Sequence, residues 1–237
     1  PPPPPREFPA SVAVIMETNP ATVANLVPIM LHFANVLGPE WPVVLLTLRA
    51  NWVEPPSPAF RRMMAARRIH IYFLPDDTAF PDHTSVSKFL TRAWFWERFE
   101  SADRVLLFQA DSVLCARSER RVDDFAEYDL IGAPINPQYG IGFNGGLSLR
   151  NPKAMLDIIR DPASNSESEH KHDKRDSSTP PPPQPPPPPP AVRLPTIEVA
   201  KQFAVETIWN NQPLGYHQPF RWLTPTQKIA AINWCPE

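Results

Sequence analysis

A carboxylate stands directly after one apolar run of the sequence. Val105–Phe108 are all apolar, and Gln109, Ala110 and Asp111 follow before the apolar pattern resumes at Val113. An unbroken apolar run suits a strand buried on both faces of a parallel sheet. Since open α/β sheets bind ligands at the carboxyl ends of their strands, Asp111 is a candidate to contact a ligand. Asp is as common at the start of a turn, and this stretch alone supports both interpretations equally.

Glycine clusters further along the chain. Four of the seven glycines fall between residues 140 and 146, which implies that the backbone there lies close to a ligand or to a crowded turn. A glycine-bulged strand is the simpler explanation when this segment is taken alone. The sequence lacks G-x-G-x-x-G between a strand and a helix, and it lacks G-x-x-x-x-G-K-[ST], so dinucleotide and P-loop folds lose support.

Alternating strands and helices must position these residues. Apolar runs predict strands at 11–16, 41–48, 69–74 and 105–108, and helical spacing predicts helices at 21–37, 60–67 and 86–101. Pro28 predicts a kink or a break near the first turns of the first helix. A short strand at 130–134, a strand opened by glycine at 145–149 and a helix at 151–159 follow. We therefore expect an α/β fold, a single Rossmann-like domain with a mainly parallel central sheet flanked by helices.

Composition limits the class of protein. A chain of 237 residues that is 42% hydrophobic can bury one sizeable core, and a net charge of −2 gives no sign of nucleic-acid binding. No apolar run reaches the ~20 residues that a membrane span needs. Cys115 and Cys235 are too few for a disulfide framework, and Cys115 is most simply a buried thiol. Oligomeric state stays open. Localisation is a Golgi or other secretory-pathway lumen if an upstream anchor exists, and cytoplasmic otherwise.

Two proline tracts divide the chain. Of the 34 prolines, 15 lie in residues 1–5 and 180–190, and such tracts form extended, solvated structure that buries no core. Residues 1–10 are predicted to be a disordered N-terminus and residues 162–192 a disordered low-complexity insertion. The predicted domain then comprises 11–161 and 193–237. The second tract could bind an adaptor domain with an aromatic groove, but a spacer is the simpler interpretation.

Five ordered segments carry a resemblance to a known family. They are Leu107–Leu114, Tyr128–Pro134, Phe143–Asn151, Phe203–Ile208 and Pro213–Pro219. This set resembles a glycosyltransferase-like domain family of unassigned function that is common in fungal genomes. That family is similar in turn to nucleotide-sugar glycosyltransferases of the GT-A fold. The resemblance covers residues 11–161 and 193–222 and leaves the proline tracts outside.

The resemblance implies a donor site and a metal. GT-A enzymes commonly hold Mn²⁺ or Mg²⁺ with an Asp-x-Asp after the fourth strand, where this chain has Gln109-Ala110-Asp111, so only the second carboxylate is present. A histidine near the end of the domain often adds a ligand, which implies Asp111 and His217 as metal ligands. A lone histidine is otherwise an ordinary packing residue. The donor-binding residues implied by the resemblance are Glu17, Thr18, Gln109, Asp111, Asn144, Gly145 and Gly146.

The resemblance also implies an activity, with one part missing. It implies a hexosyltransferase that moves a sugar from a nucleotide-diphosphate donor to a glycan or other hydroxyl acceptor. The family's acidic segment, similar to Glu-Asp-x-Trp, would supply a catalytic base. Here low-complexity sequence takes its place, so Glu169, Asp173 and Glu206 are only weak candidates. The alternative is a binding module of the same fold that holds a nucleotide-sugar or glycan without turning it over.

Overall fold

The computed structural model describes residues 8, 10–161 and 192–237. The proline tracts, almost all of the predicted insertion, and the base candidates Glu169 and Asp173 lie outside the described residues. Within the described part of the chain, none of the helices combines the length and the apolar character that crossing a membrane requires.

Nine strands and eight α-helices make up the described structure. The strands are β1 (Ser11–Met16), β2 (Val43–Thr47), β3 (Ile69–Phe73), β4 (Arg104–Phe108), β5 (Ser112–Leu114), β6 (Leu130–Pro134), β7 (Phe143–Arg150), β8 (Ala204–Val205) and β9 (Gly215–His217). The α-helices are α1 (Leu26–Leu37), α2 (Pro58–Ala65), α3 (His83–Leu90), α4 (Ala93–Arg98), α5 (Pro152–Arg160), α6 (Ile197–Phe203), α7 (Pro219–Trp222) and α8 (Pro225–Trp234). Short 3₁₀ turns occupy Pro20–Thr22, Arg49–Asn51 and Val122–Phe125.

The central sheet has six strands in the order β3-β2-β1-β4-β7-β6. The first four are parallel to one another, whereas β7 runs antiparallel to both β4 and β6. The predicted α/β fold with a mainly parallel sheet is therefore confirmed. All five residues of β2 are buried, as are four of the five in β4, which is why these strands appear in the sequence as continuous apolar runs.

Two helix predictions were wrong in extent. The helix predicted at 21–37 begins only at Leu26, after a 3₁₀ turn, and Pro28 occupies its first turn, where a backbone N–H has no intrahelical partner. The helix predicted at 86–101 is two helices. Arg92 has an extended backbone, with φ −87° and ψ 133°, which separates α3 from α4. The indole nitrogen of Trp96 donates to the Leu90 carbonyl oxygen (2.7 Å), and this bond holds the break in place.

Apolar side chains cover both faces of the sheet. On one face Phe33 of α1 stacks on Phe108, with ring centroids 3.9 Å apart. On the other face the aromatic residues of α3 and α4 form a core around Trp96 and Phe95, which are fully buried. The aromatic residues of this region, among them Phe89 and Phe99, therefore belong to the core.

A second, small sheet lies beside the end of β4. It has the order β5-β9-β8, with β5 antiparallel to β9 and β8 parallel to it. Cys115, directly after β5, forms a disulfide with Cys235, directly after α8. The prediction that Cys115 is a buried thiol was wrong, because a spacing of 120 residues gives no sign of which cysteines meet. The disulfide fixes α8 against the small sheet.

A buried carboxylate anchors the chain where the described structure resumes. Asp129 is 6% exposed, and its two oxygens accept hydrogen bonds from the backbone and guanidinium of Arg193 and from Asn151 Nδ2 (2.8 Å). The Asp129 backbone N–H also donates to the Arg193 carbonyl oxygen (2.8 Å). The segment that begins with Val192 is thereby fixed beside β6 and the start of α5.

Candidate functional site

The turn between β4 and β5 presents Gln109 and Asp111 at the carboxyl edge of the sheet. The Gln109 backbone N–H donates to the Gly146 carbonyl oxygen (2.9 Å), and the Ser112 backbone N–H donates to the Gln109 carbonyl oxygen (3.0 Å). The buried hydroxyl of Ser112 also donates to the Gly146 carbonyl oxygen (2.8 Å). The turn is therefore fixed to β7, and both side chains have defined positions.

Pairing between β5 and β9 brings His217 to the same place. Ser112 lies opposite His217 in this antiparallel ladder, so the ring of His217 stands next to the turn. Its Nε2 atom lies 3.4 Å from Asp111 Oδ1 and 3.0 Å from Gln109 Oε1. The structure thus brings together the two residues that the resemblance implied as metal ligands, with Gln109 beside them.

Glu206 lies behind the imidazole. Its Oε1 atom is 3.4 Å from His217 Nδ1, although the geometry of this contact is that of an ion pair and not of a hydrogen bond. Both residues are buried, His217 to 3% exposure and Glu206 to 4%. Burial by itself would lower the pKa of His217, but the interactions with Asp111 and Glu206 outweigh it and raise the pKa to about 9. The free site therefore holds an imidazolium between two carboxylates at neutral pH.

Gln218 orients Asp111 from the other side. Its Nε2 atom donates to Asp111 Oδ2 (2.7 Å), and its backbone N–H donates to the Asp111 carbonyl oxygen (3.0 Å). Burial raises the pKa of Asp111, but the hydrogen bonds from His217 and Gln218 more than offset this, and the net pKa is lowered. Gln218 itself has a left-handed backbone (φ 46°), which turns the chain from β9 into α7. No pattern in the sequence marks Gln218 as a residue of the site.

A bulge in β7 makes room for the histidine. Gly132 and Ala133 are consecutive in β6, yet they pair with Ser148 and Asn144, so residues 145–147 of β7 have no partner in β6. Leu147 still pairs with Phe108 of β4 on the other side. A Cβ atom on Gly146 would lie 2.1 Å from His217 Nε2 and 2.6 Å from Gln109 Oε1. Only glycine fits there, and bulges of this kind often lie next to active sites. Crowding therefore explains Gly145 and Gly146, whereas Gly142, with a φ of 102°, has open space around it.

Two cavities flank the Asp111–His217 pair. The larger, of about 890 Å³, is bordered by Gln109, the segment 144–146, Glu206 and His217, and it extends to Arg150 and Trp96. The second, of about 820 Å³, is bordered by Asp111, Asn25, His32 and Phe220. Gln218 and Arg221 border both cavities. The pair therefore stands at the junction of two spaces, each of a size that accommodates part of a large ligand.

The other predicted donor-binding residues have different surroundings. Asn144 Oδ1 accepts from the Gly146 backbone N–H (2.7 Å) and shapes the bulge. Glu17 and Thr18 follow β1 at the same edge of the sheet, but neither borders either cavity. The contact from this part of the chain is instead made by Asn25, whose Nδ2 atom donates to the Ala110 carbonyl oxygen (2.8 Å).

The fit of a divalent cation can be tested on these residues. Among the residues that the structure describes, no group of three or more His, Cys, Asp and Glu side chains could hold a metal. Asp111 and His217 are two side chains of ligand type, however. Adjacent ligands of an octahedral ion lie roughly 3 Å apart, close to the 3.4 Å between Asp111 Oδ1 and His217 Nε2. Glu206 occupies the place of the carboxylate that commonly supports a metal-bound histidine through its other ring nitrogen. The residues fit a cation that takes its remaining ligands from a substrate and from water.

Several solved structures of glycosyltransferases are similar to this chain. The glycosyltransferase GlyE of Streptococcus pneumoniae TIGR4 aligns over 69% of this chain and 41% of its own, with 17% identity and a TM-score of 0.40. An active-site mutant of LgtC aligns over 62% of this chain and 59% of its own, with 16% identity and a TM-score of 0.40. The mannosyltransferase PcManGT of Pyrobaculum calidifontis, in complex with GDP-Man and Mn²⁺, aligns over 63% and 46%, with 13% identity and a TM-score of 0.38. The matched region of this chain spans between two fifths and three fifths of the length of these proteins.

A family is shown by the sequence itself. No curated protein matches the chain. Residues 68–217 match a family that is described as a protein of unknown function, DUF5672. The match includes β4, the glycine bulge and β9, and therefore Asp111 and His217, and it spans well over half of the chain. The chain belongs to this family of proteins of unknown function, DUF5672.

Proposed function

We propose that this protein is a metal-assisted glycosyltransferase that moves a sugar from a nucleotide-diphosphate donor to the hydroxyl group of a glycan or other acceptor. The observation that carries the proposal is the position of the Asp111–His217 pair. It lies at the carboxyl edge of a mainly parallel sheet, with Glu206 behind the imidazole and a cavity on either side. The ordered motifs of the sequence, which resemble those of nucleotide-sugar glycosyltransferases, support the same function.

Each residue of the site has a task in this proposal. Asp111 Oδ1 and His217 Nε2 would hold Mn²⁺ or Mg²⁺, which when bound neutralises the charge of the diphosphate leaving group. Gln218 fixes the carboxylate of Asp111, and Glu206 lies beside Nδ1 and fixes the ring of His217. Gln109, Asn144, Gly145 and Gly146 form the wall of the larger cavity, where they would contact the donor.

A second candidate is a binding module that holds the donor without turning it over. Glu206 is the one carboxylate among the described residues that border the larger cavity, and it is engaged with His217. It is therefore poorly placed to accept a proton from an acceptor hydroxyl, and Asp111 would be occupied by the metal. A base would have to come from outside the described residues or from the acceptor's own surroundings.

Thermal-shift titration with UDP-, GDP- and ADP-sugars, with and without Mn²⁺, tests the proposal. At least one donor should raise the melting temperature in the presence of Mn²⁺, and Asp111→Asn should abolish the rise. Asp157→Asn is the matched control, since Asp157 is exposed on α5 and borders neither cavity. If no donor stabilises the protein with any metal, the glycosyltransferase proposal fails. Donor binding without release of the nucleotide would favour the binding module.

The disulfide supports a proposal about location. Disulfides such as Cys115–Cys235 persist in oxidising compartments and are rare in the cytosol. We propose that the protein resides in the lumen of the secretory pathway. Mass spectrometry of alkylated protein isolated from its native source tests this, because both cysteines should resist alkylation until a reductant is added. Two freely alkylated cysteines would contradict it.

A further inference from the structure

The larger cavity contains a guanidinium group that the proposed mechanism does not use. Arg150 ends β7, and its side chain runs back along the strand, where Nε donates to Ser148 Oγ (3.1 Å). The guanidinium carbon lies 5.8 Å from the centroid of the Trp96 ring. A Cβ atom on Gly145 would come within 2.8 Å of Nη2, so the terminal nitrogens reach the glycine bulge. The guanidinium of Arg150 therefore lies beside Gly145, in the segment that the proposed function assigns to donor binding.

This charge has no carboxylate partner among the described residues. The neighbours of the Arg150 side chain are a hydroxyl group and an aromatic face, and neither neutralises a cation. Burial lowers the pKa of Arg150 to about 10, and no nearby acid opposes this effect. The group is still charged at neutral pH. The Arg150 side chain is only partly exposed, so a guanidinium that has no carboxylate partner and borders a large cavity points to a ligand of the opposite sign.

The rest of the cavity wall limits what that ligand can be. Glu206 is the one acidic side chain among its described residues, and His217 already compensates it. Arg221 adds a second cation at the junction of the two cavities. Tyr139 and Trp222 contribute aromatic surfaces, and Asn144 and Gln109 contribute amides. Aromatic faces and amides together suit a sugar ring, and the planar guanidinium matches two oxygens of a carboxylate or of a phosphate. Since the proposed function places the diphosphate at the Asp111–His217 pair, the carboxylate of a sugar is the anion that remains for Arg150.

The guanidinium of Arg150 lies close to the Asp111–His217 pair. Gly145 is next to Arg150 Nη2, and the adjacent Gly146 is next to His217 Nε2. With 3.8 Å between consecutive Cα atoms, these contacts place the guanidinium roughly 12 Å or less from the imidazole nitrogen. A ligand bound to the Asp111–His217 pair through its diphosphate can therefore extend a sugar to Arg150.

We propose that Arg150 is a specificity-determining residue that binds the carboxylate of an acidic sugar in the larger cavity. The carboxylate would accept two parallel hydrogen bonds from the guanidinium, with the sugar ring against the aromatic wall. The acidic sugar is either the one carried by the donor or one in the acceptor. The sugar transfer itself rests on the proposed function, whereas the anion site stands on its own contacts.

Binding of free sugars separates this inference from the proposed function. Ligand-observed NMR with glucuronate, glucose and inorganic phosphate requires neither metal nor nucleotide. We expect glucuronate to bind at least tenfold more tightly than glucose, and Arg150→Met to weaken glucuronate binding roughly 10- to 100-fold, the usual effect of losing a charged hydrogen bond. Arg150→Lys should retain part of the affinity. Asp111→Asn should leave glucuronate binding unchanged even if nucleotide-sugar binding is lost.

Two further variants protect the test against a folding defect. Gly145→Ala keeps the charge but places a methyl group 2.8 Å from Arg150 Nη2, and it should also weaken glucuronate binding. Arg62→Met removes an exposed arginine of α2 and should change nothing.

The outcomes decide both the inference and the source of the sugar. A preference for UDP-glucuronate over UDP-glucose that depends on Arg150 assigns the acidic sugar to the donor. Binding of free glucuronate in the presence of saturating UDP assigns it to the acceptor. Equal binding of glucose and glucuronate, binding of phosphate alone, or no binding of any probe overturns the inference.

Discussion

His217 Nε2 and Asp111 Oδ1 lie 3.4 Å apart, although more than a hundred residues separate them along the chain. The ladder between β5 and β9 creates this proximity, since Ser112 pairs with His217. The disulfide after β5 and the glycine bulge of β7 hold the surrounding segments in place. The pair is a property of the tertiary structure, and each of these supports can be tested.

The stability of the protein should depend on pH through His217. The pKa of this residue is about 9 in the folded protein and about 6.5 when unfolded, so the folded state binds the proton more tightly. The stabilisation that protonated His217 gives to the folded state is complete below pH 6.5 and is lost as the pH rises through 9. The free energy of unfolding should therefore fall by on the order of 3 kcal/mol across this range. Urea denaturation at several pH values measures it. His217→Gln should remove most of the dependence, and an unchanged dependence in that variant would contradict this assignment.

Gly146→Ala should disrupt the site and lower the free energy of unfolding, whereas Gly145→Ala should lower the free energy of unfolding less. The new methyl group at residue 146 would overlap the His217 ring, which is buried and cannot move freely. We expect a loss of about 1–3 kcal/mol of unfolding free energy, as for other overpacked cores, together with the loss of donor-induced stabilisation. At residue 145 the methyl group meets only the end of the Arg150 side chain, which can shift. Chemical denaturation of both variants makes the comparison. Equal stability of the two variants would show that the ring of His217 is not confined by the bulge.

Reduction of the disulfide should destabilise the protein. Cys115 and Cys235 close a loop of 120 residues, and the loss of a native disulfide typically costs about 2–5 kcal/mol. The melting temperature should therefore fall when a reductant is added. The double variant Cys115→Ser/Cys235→Ser should show the lower value with or without reductant. A wild-type melting temperature that does not respond to complete reduction would contradict the contribution of this bond.

Asp129 should contribute to the free energy of unfolding and not to ligand binding at the Asp111–His217 pair. Its carboxylate accepts hydrogen bonds from Arg193 and Asn151 and is almost fully buried. Asp129→Ala should cost about 1–3 kcal/mol, because Asn151 and the Arg193 backbone N–H lose their hydrogen-bond acceptor whereas the Arg193 side chain stays largely in solvent. Asp124→Ala, on an exposed 3₁₀ turn, should cost much less. Differential scanning calorimetry measures both, and similar melting temperatures for the two variants would contradict the proposed anchor.

The central strands could be predicted because their residues are buried on both faces. The residues of β1 are the predicted ones, and the strand predicted at 105–108 differs from β4 by a single residue. The break at Arg92 could not be predicted, since it depends on the hydrogen bond that Trp96 makes to Leu90 and on the packing of both helices. The antiparallel direction of β7 likewise depends on contacts that the local pattern does not contain.

The site was only partly accessible from the sequence. Asp111 was suggested by its place after an apolar strand, and His217 only by resemblance, because a lone histidine carries no distinguishing pattern. Glu206 was proposed as a base, but the structure places it behind His217. Neither Arg150 nor Gln218 could be found from the sequence, because their roles depend on tertiary contacts. The charge of Arg150 has no carboxylate partner among the described residues, and Gln218 orients the carboxylate of Asp111. That Glu17 and Thr18 bind the donor remains a prediction.

The most direct measurement of the central claim is a crystal structure of the protein with Mn²⁺ and a nucleoside diphosphate, recorded at a wavelength where manganese scatters anomalously. Crystals should be grown above neutral pH, because Nε2 of His217 must lose its proton before it can bind the metal. We expect one anomalous peak about 2.1–2.2 Å from both Asp111 Oδ1 and His217 Nε2, with diphosphate oxygens as the remaining ligands. A nucleotide bound in either cavity with no manganese between Asp111 and His217 would contradict it.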